Sequence, residues 1–276
     1  MADFDLPELD ESFGREAFSN LFRLYVAPEL RLRIERGELP NPFPDAQLIG
    51  IQILFPADVG RPTVRLNHEV RATCRFQSKP GMDHKPGDGV RNDAIETISE
   101  IWLKDEDRDC GHATFLRRPD GGWWGYFSFI RHTGTARNLL EVADQDLVAA
   151  ERIINEGTWV PFVDNCFSAA ELAAKSLLFY HDSPGVVAGS KKHSLVRSRF
   201  NFHRHRGNVD ASQCDALNRL WDLRQAGRYA ERDISIDAED AKSLLRVVAG
   251  MIKNARSIYG VAEMDKEDKA RELIDK

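Results

Sequence analysis

The spacing of hydrophobic residues in the first half of the chain changes from helical to alternating. Residues 10–38 carry apolar side chains three and four positions apart, which predicts a helix, and Pro28 marks the point where we expect that helix to be interrupted. Apolar and polar residues then alternate from Ile49 to Phe55 and from Val64 to Phe76, which predicts two strands. The first half is therefore expected to be an α+β domain, a helix packed on an antiparallel sheet.

A hairpin is predicted near the end of this region. A strand is expected over 97–103, and the segment after it indicates two strands around Asp120-Gly121, a pair typical of tight turns. The second strand of the hairpin carries aromatic side chains on both faces: Trp123, Trp124, Tyr126, Phe127 and Phe129. We expect one face to pack on the helix and the other to meet a further element, for which the C-terminal bundle is a candidate. This interpretation is favoured over a stacking platform for nucleic-acid bases.

From Arg137 the hydrophobic spacing is helical. The most apolar predicted helix is Phe162–Tyr180, where Asp164 and Asn165 stand at positions that suit helix-capping residues. A helix with so wide an apolar surface has to be buried on at least two sides, so the second half is predicted to be an all-α bundle of four or five helices. The predicted domains are an α+β domain over 1–133, the bundle over 134–261 and a charged tail over 262–276.

Composition and charge narrow the class of protein. The 276 residues are 42% hydrophobic and 30% charged with a formal net charge of −6, which is typical of a globular protein. No apolar run reaches the roughly 20 residues that span a bilayer, and the acidic N-terminus does not resemble a signal peptide. A cytoplasmic protein without membrane contact is therefore expected. The four cysteines are scattered without a C-x-x-C pair, so we expect reduced thiols, no metal site and no cofactor.

One segment concentrates positive charge in this acidic chain. Residues 191–206 contain six Lys or Arg residues, three His and no acid. Clustered arginines suit phosphate, so the segment predicts contact with RNA or a nucleotide. The candidate phosphate-binding residues of this segment are Arg197, Arg199, Arg204 and Arg206. The alternative is a solvated surface that is neutralised by acidic neighbours such as the C-terminal tail.

Four segments of the second half follow one another in a distinctive order. Ala169–Leu178 reads small-small-Glu-Leu-Ala-x-Lys-x-Leu-Leu, His193-Ser-Leu195 follows it, Leu217–Tyr229 ends in Gly-Arg-Tyr, and Ala238–Ile258 is an amphipathic helix. This order resembles the HEPN domain. The resemblance implies a helical bundle that forms a homodimer, has RNA or a nucleotide as its ligand, and has a nucleotidyltransferase or a defence protein as its partner.

The same resemblance implies a catalytic motif, in which an Arg is followed four to six residues later by a His. The His would transfer a proton at the RNA 2′-OH, and the Arg would hold the phosphate. The matching slot here is Arg224-Gln-Ala-Gly-Arg228-Tyr229, with Tyr229 in place of the His. Tyrosine ordinarily titrates near pH ~10 and is a poor proton acceptor at neutral pH. Arg224 and Arg228 share a helix face. Their expected partner is either a carboxylate of the bundle, such as Glu171, or a bound phosphate.

A literal match to the motif lies in the basic segment, at Arg197 with His203 and at Arg199 with His205, but this is not the family's position. Three hypotheses follow. The leading one is a nucleotide- or RNA-associated binding module with a degenerate catalytic motif, in which the N-terminal domain contributes recognition. The second is a metal-independent ribonuclease of a toxin or antiviral defence type that uses Arg199, His203 and His205, or Arg224 and Tyr229. The third is a non-catalytic scaffold.

Overall fold

The computed structural model describes residues 12–58, 60–82, 84–85, 90, 94–182, 193–229 and 236–260. These residues divide into two compact units, one that ends at Arg131 and one that begins at His132. The first unit contains helices and antiparallel sheets, and the second is entirely helical.

The first unit opens with a helix that changes its winding before Pro28. Helix α1 (Ser12–Leu21) and helix α2 (Ala27–Glu35) are joined by a π-helical turn over Phe22–Val26. The backbone stays helical on both sides of this turn. Proline lacks an N–H and its ring crowds the preceding turn, so a wider turn before Pro28 suits it better than a regular one. The predicted interruption is therefore a change of winding within one continuous helix.

Within the described ranges, six strands form two separate antiparallel sheets. In chain order they are β1 (Gly50–Phe55), β2 (Thr63–Leu66), β3 (Ala72–Ser78), β4 (Ile95–Leu103), β5 (Gly111–Arg117) and β6 (Trp123–Ser128). The larger sheet has the order β2-β1-β5-β6, and β3 pairs with β4 in the smaller one. The hairpin of β5 and β6 turns at Gly121, whose φ of 90° suits glycine.

The single strand predicted over Val64–Phe76 is wrong, because the chain leaves the larger sheet at Asn67. This residue adopts a positive φ of 53°, and its side-chain oxygen accepts the backbone N–H of Ile49 at 2.8 Å. Glu69 accepts the N–H of Leu66 at 3.0 Å and pairs with Arg33 of α2 at 2.7 Å. These polar contacts hold a short 3₁₀ turn over 67–69 that separates β2 from β3. An alternating pattern does not reveal such a turn, because its polar residues fall where a strand would also place them.

Both faces of the hairpin are used for packing. Phe18 of α1 meets the ring of Phe115 edge-on at 4.6 Å and the ring of Trp123 at 5.7 Å. Trp124 and Tyr126, on the opposite face, pack against the buried isoleucines of β4. The first unit therefore confirms the predicted helix on an antiparallel sheet, and the further element that covers the second face is the smaller sheet.

A row of buried polar side chains crosses the larger sheet. Gln52 donates its amide N–H to the backbone oxygen of Arg71 at 3.0 Å and to Thr114 Oγ1 at 3.4 Å. His112 Nδ1 lies 3.0 Å from the same Thr114 oxygen. His112 is almost fully buried, and its burial lowers the pKa of the imidazole from 6.5 to about 4.

The second unit is a bundle of five helices in the described residues. They are α3 (Thr133–Ile154), α4 (Trp159–His181), α5 (His193–His205), α6 (Ala211–Tyr229) and α7 (Ala238–Ile258). Helix α4 packs against each of the other four and buries the apolar side chains that the sequence predicted for it. The predicted all-α bundle is thus confirmed. In the described part of the chain, no helix is both long and apolar enough to cross a bilayer.

His112 makes the stability of this protein sensitive to acid. The unfolded chain takes up a proton at this residue near pH 6.5, whereas the folded chain does so only near pH 4. The folded state therefore loses stability as the pH falls between these values. Between about pH 7 and about pH 4.5 we expect the free energy of unfolding to fall by about 2–3 kcal/mol more in the unsubstituted protein than in His112→Gln. Urea denaturation at both pH values measures this difference, and equal losses in the two proteins would contradict it.

Candidate functional site

Helices α5 and α6 are joined by a ladder of polar contacts. Side chains at spacings of three and four along α5 meet partners on α6: Arg197 with Asp222, Asn201 with Asn218, and Arg204 with Asp215. The two asparagine amides exchange hydrogen bonds at 3.1 and 2.9 Å, while the Arg197 and Asp222 atoms lie 3.8 Å apart. Much of the predicted cationic surface is therefore an interhelical contact with its own carboxylates. Lys191, Lys192 and the charged tail over 262–276 lie outside the described residues.

A second group of contacts ties α5 to the end of α4. Arg199 donates its Nε–H to Asp182 at 2.9 Å and makes a further ion pair with the same carboxylate. His203 is buried, and its Nε2 lies 3.2 Å from Asp182 Oδ1 without the angle of a hydrogen bond. Asn208 contacts the other ring nitrogen of His203 at 3.1 Å. The structure thus brings Arg199 and His203 together around a carboxylate, and it places His205 on the exposed side of α5.

The environment of Asp182 keeps this carboxylate charged. Burial alone would raise its pKa, but the hydrogen bonds and positive charge of Arg199, together with the neighbouring His203, outweigh burial, so that the pKa lies below its usual value. Asp182 therefore acts as an anionic anchor for α5, and the pair of Arg199 and His203 is engaged in holding the bundle together.

The end of α5 presents an aromatic ring between two arginines. Phe202 is 39% exposed, and the guanidinium groups of Arg199 and Arg206 lie 4.9 and 4.6 Å from its ring centroid. Arg206 is exposed and has no carboxylate partner among the described residues. Of the four candidate arginines of the basic segment, Arg206, which directly follows α5, alone has no carboxylate partner in the described part of the chain.

Two arginines of helix α6 bind the same carboxylate of α4. The Nε–H groups of Arg224 and Arg228 both donate to Asp164 Oδ1, at 2.9 and 3.0 Å. Arg224 also lies over the Phe167 ring, 4.6 Å from its centroid. Asp164 does not cap α4, because the helix begins one turn earlier than predicted, at Trp159. The carboxylate is thereby available to α6, which ends at Tyr229, whose side chain lies outside the described part of the chain.

A histidine and a glutamate meet beside these arginines. His193 Nδ1 lies 2.6 Å from both carboxylate oxygens of Glu171. The imidazole ring packs against Phe167 at 6.0 Å and against Trp221 at 6.2 Å between ring centroids. This pair is not evident from the sequence, because the two residues lie 22 positions apart on different helices and neither belongs to the catalytic motif.

The cysteines of the bundle are not suited to nucleophilic chemistry. Cys166 and Cys214 are buried free thiols, and burial raises their pKa values to about 12 and about 11. Both thiols therefore stay protonated at neutral pH. Across the described ranges, no group of three or more His, Cys, Asp or Glu side chains is arranged to hold a metal ion.

The anchoring role of Asp182 generates a prediction about stability. We expect Asp182→Ala to lower the free energy of unfolding by about 2–4 kcal/mol, because it leaves the buried His203 and the half-buried Arg199 without their carboxylate. Asp222→Ala is a matched control, since Asp222 is exposed and pairs with Arg197 only at 3.8 Å; its effect should stay below about 0.5 kcal/mol. Denaturant unfolding of the full chain measures both variants, and equal effects would show that Asp182 is no anchor.

Comparison with known proteins agrees with this helical architecture. The HEPN domain model matches residues 136–274, just over half of the 276-residue chain. Comparison with curated proteins gave no match. HEPN domains are nucleotide- and RNA-related modules, and they often bind RNA and dimerise. The resemblance expected from the four ordered segments is therefore confirmed, and this chain belongs to the HEPN family.

Proposed function

We propose that this protein is an RNA- or nucleotide-associated binding module that holds a phosphate group with Arg224 and Arg228. The observation that carries the proposal is that these two guanidinium groups share the single carboxylate of Asp164. One carboxylate offsets one positive charge, so among the residues that the structure describes this cluster keeps one cation in excess. A phosphate is the natural partner for that excess.

The geometry of the shared carboxylate leaves the phosphate-binding atoms of both arginines available. Each arginine contacts Asp164 through Nε, and the terminal Nη groups make no hydrogen bond to any residue that the structure describes. Those Nη groups form the fork that binds phosphate oxygens in pairs. The side chain of Arg224 is 10% exposed and that of Arg228 is 51% exposed. The first is held in place by packing, and the second is accessible to a ligand.

The remaining arginines contribute less to phosphate binding. Arg197, Arg199 and Arg204 each have a carboxylate of their own, and a phosphate would have to compete with it. Arg206 beside Phe202 is a second contact, because an exposed aromatic ring next to a guanidinium suits a stacked base and its backbone. Binding is thus centred on α6 and extended by the end of α5.

The motif slot itself favours binding over proton transfer. Tyr229 occupies the position of the family's His, and a tyrosine hydroxyl ordinarily stays protonated at neutral pH. The arginine part of the motif is retained. We infer a degenerate motif that keeps its phosphate-holding half, with the N-terminal unit contributing recognition and a nucleotidyltransferase or a defence protein as the partner.

Binding to single-stranded RNA tests the proposal. With the full chain and a fluorescent 2′-O-methyl oligonucleotide, we expect Arg224→Ala and Arg228→Ala each to weaken binding about tenfold, which corresponds to about 1.4 kcal/mol. Each lost phosphate contact should also reduce the slope of log K against log salt by about 0.7. Arg219→Ala is the matched control, because Arg219 lies on the same helix and pairs with Asp240. Titration with ATP separates a nucleotide ligand from RNA.

The outcomes of this binding experiment are distinct. Salt-sensitive binding that falls in both variants and is retained in Arg219→Ala supports the proposal. An equal loss in all three variants indicates nonspecific attraction, and a chain that binds neither RNA nor ATP is a scaffold. Either of the last two results overturns the assignment of Arg224 and Arg228.

We also infer that the protein is a homodimer, because HEPN domains often dimerise. Sedimentation equilibrium at micromolar concentration should then give a mass of about twice the 31.3 kDa of one chain. A mass of one chain over the whole accessible concentration range would contradict this inference.

A further inference from the structure

We propose that strand β6 of the first unit pairs with β6 of a second copy of this chain, antiparallel and across a two-fold axis. The two four-stranded sheets then join into one continuous sheet. A two-fold contact of this kind uses the same surface on both copies. The contact lies in the first unit, so it goes beyond the proposed function, whose homodimer is inferred from the helical bundle.

Strand β6 forms an edge of the larger sheet. Its neighbour among the described residues is β5, on one side. At the turn, Arg118 donates its N–H to the backbone oxygen of Gly122 at 2.8 Å, and hydrogen-bonded pairs then alternate along the two strands. The even-numbered residues of β6 therefore bond to β5, whereas Gly125 and Phe127 direct their backbone N–H and C=O groups away from it.

Among the described residues, this edge is open to solvent and lacks the features that usually protect a strand edge. Gly125 is exposed, and since glycine has no side chain, the exposed part is the backbone itself. Phe127 and Phe129 are 42% and 58% exposed. Natural edges are commonly blocked by lysine, proline or a bulge. Trp123–Ser128 contains no charged residue and no proline and pairs regularly with β5, so the edge is suited to the addition of another strand.

The side chains along β6 are complementary to those of a second, antiparallel β6. With Tyr126 of the two copies at the two-fold axis, Gly125 of each copy lies opposite Phe127 of the other, and their outward backbone groups exchange hydrogen bonds. Each Phe127 ring then covers a position that has no side chain. Gly125 has to stay a glycine, because a Cβ atom there would lie 3.0 Å from the ring of Phe115. A bare backbone position and an exposed aromatic ring thus meet twice in the pair.

Charge favours the same pairing. Trp123–Ser128 is uncharged, so two copies of the strand approach each other without repulsion. Beyond the strand, Arg131 has no carboxylate partner among the described residues, and this register brings it opposite Gly121 of the other copy. There it lies beside Asp120, whose side chain is 59% exposed and pairs with Arg118 of its own chain. Opposite charges therefore meet at both ends of the paired strands.

Sedimentation of the full chain over a range of concentrations tests the pairing. One strand of six residues from each copy is a small contact, so we expect a dissociation constant of about 10–100 µM and a mass that rises above two chains at high concentration. Phe127→Lys should raise this constant about tenfold or more, because it places a charge on each copy beside the pairing edge. Ile49→Lys is the matched control, since Ile49 is an apolar residue of the same unit that precedes β1 and is 53% exposed.

Hydrogen exchange locates the contact within the chain. When the concentration is raised, the amides of Gly125 and Phe127 should exchange about tenfold more slowly, because their outward N–H groups become hydrogen-bonded in the pair. Phe127→Pro is the second variant: it removes one outward N–H and leaves the hydrogen bonds to β5 in place. It should therefore weaken the association without adding a charge.

The outcomes separate this contact from the dimer inferred for the bundle. Association and slowed exchange that are lost in both Phe127 variants and retained in Ile49→Lys support the pairing. A dimer that persists in both Phe127 variants, with unchanged exchange in β6, uses another surface; it overturns the β6 contact and leaves the bundle dimer in place. A single-chain mass at every concentration overturns both. Equal loss in Ile49→Lys indicates general attraction between apolar surfaces and overturns the assignment to β6.

Discussion

The bundle depends on the burial of α4, a helix that packs against the four others and therefore has little room for charge. Three carboxylates nevertheless lie along it or at its end, Asp164, Glu171 and Asp182. Each meets a side chain from a neighbouring helix: Asp164 meets two arginines of α6, Glu171 meets His193, and Asp182 meets Arg199. A partly buried carboxylate without a partner is costly, so these three contacts determine how α5 and α6 lie on α4.

This constraint explains why an arginine-rich segment occurs in an acidic protein. The arginines of α5 form ion pairs with carboxylates of neighbouring helices. Exposed pairs such as Arg197 with Asp222 contribute little to the stability of the fold. Among the described residues near α5 and α6, cations outnumber carboxylates at Arg224 and Arg228 around Asp164, and Arg206 beside Phe202 has no carboxylate partner. The distribution of unpaired charge among the described residues, rather than the number of arginines, is the basis for the proposed phosphate site.

The contact between Glu171 and His193 follows from the same arrangement. Glu171 stays within the bundle while His193 reaches the surface, so a carboxylate that the fold has to pair becomes the group that orients an accessible imidazole. Phe167 and Trp221 contact each other and join this pair to Arg224 and Arg197. Buried polar side chains are paired in the first unit too. Inside the larger sheet, the hydroxyl group of Thr114 contacts the side chains of both Gln52 and His112.

The local sequence pattern was sufficient to predict the fold class of each half of the chain and most of its helices and strands. The spacing of apolar residues identified the buried helix α4 and the hairpin of β5 and β6, and four ordered segments identified the family, because periodicity and helix order are properties of the chain itself. The break at Asn67 depends on hydrogen bonds to Gln47 and Ile49, some twenty residues away, which no local pattern contains. In the same way, the sequence identified Arg224, Arg228 and the basic segment as candidates, but only the packing of α4 against α5 and α6 decided which cations are neutralised. The same packing brought His193 next to Glu171, since side chains distant in sequence become neighbours only when the helices that carry them pack together.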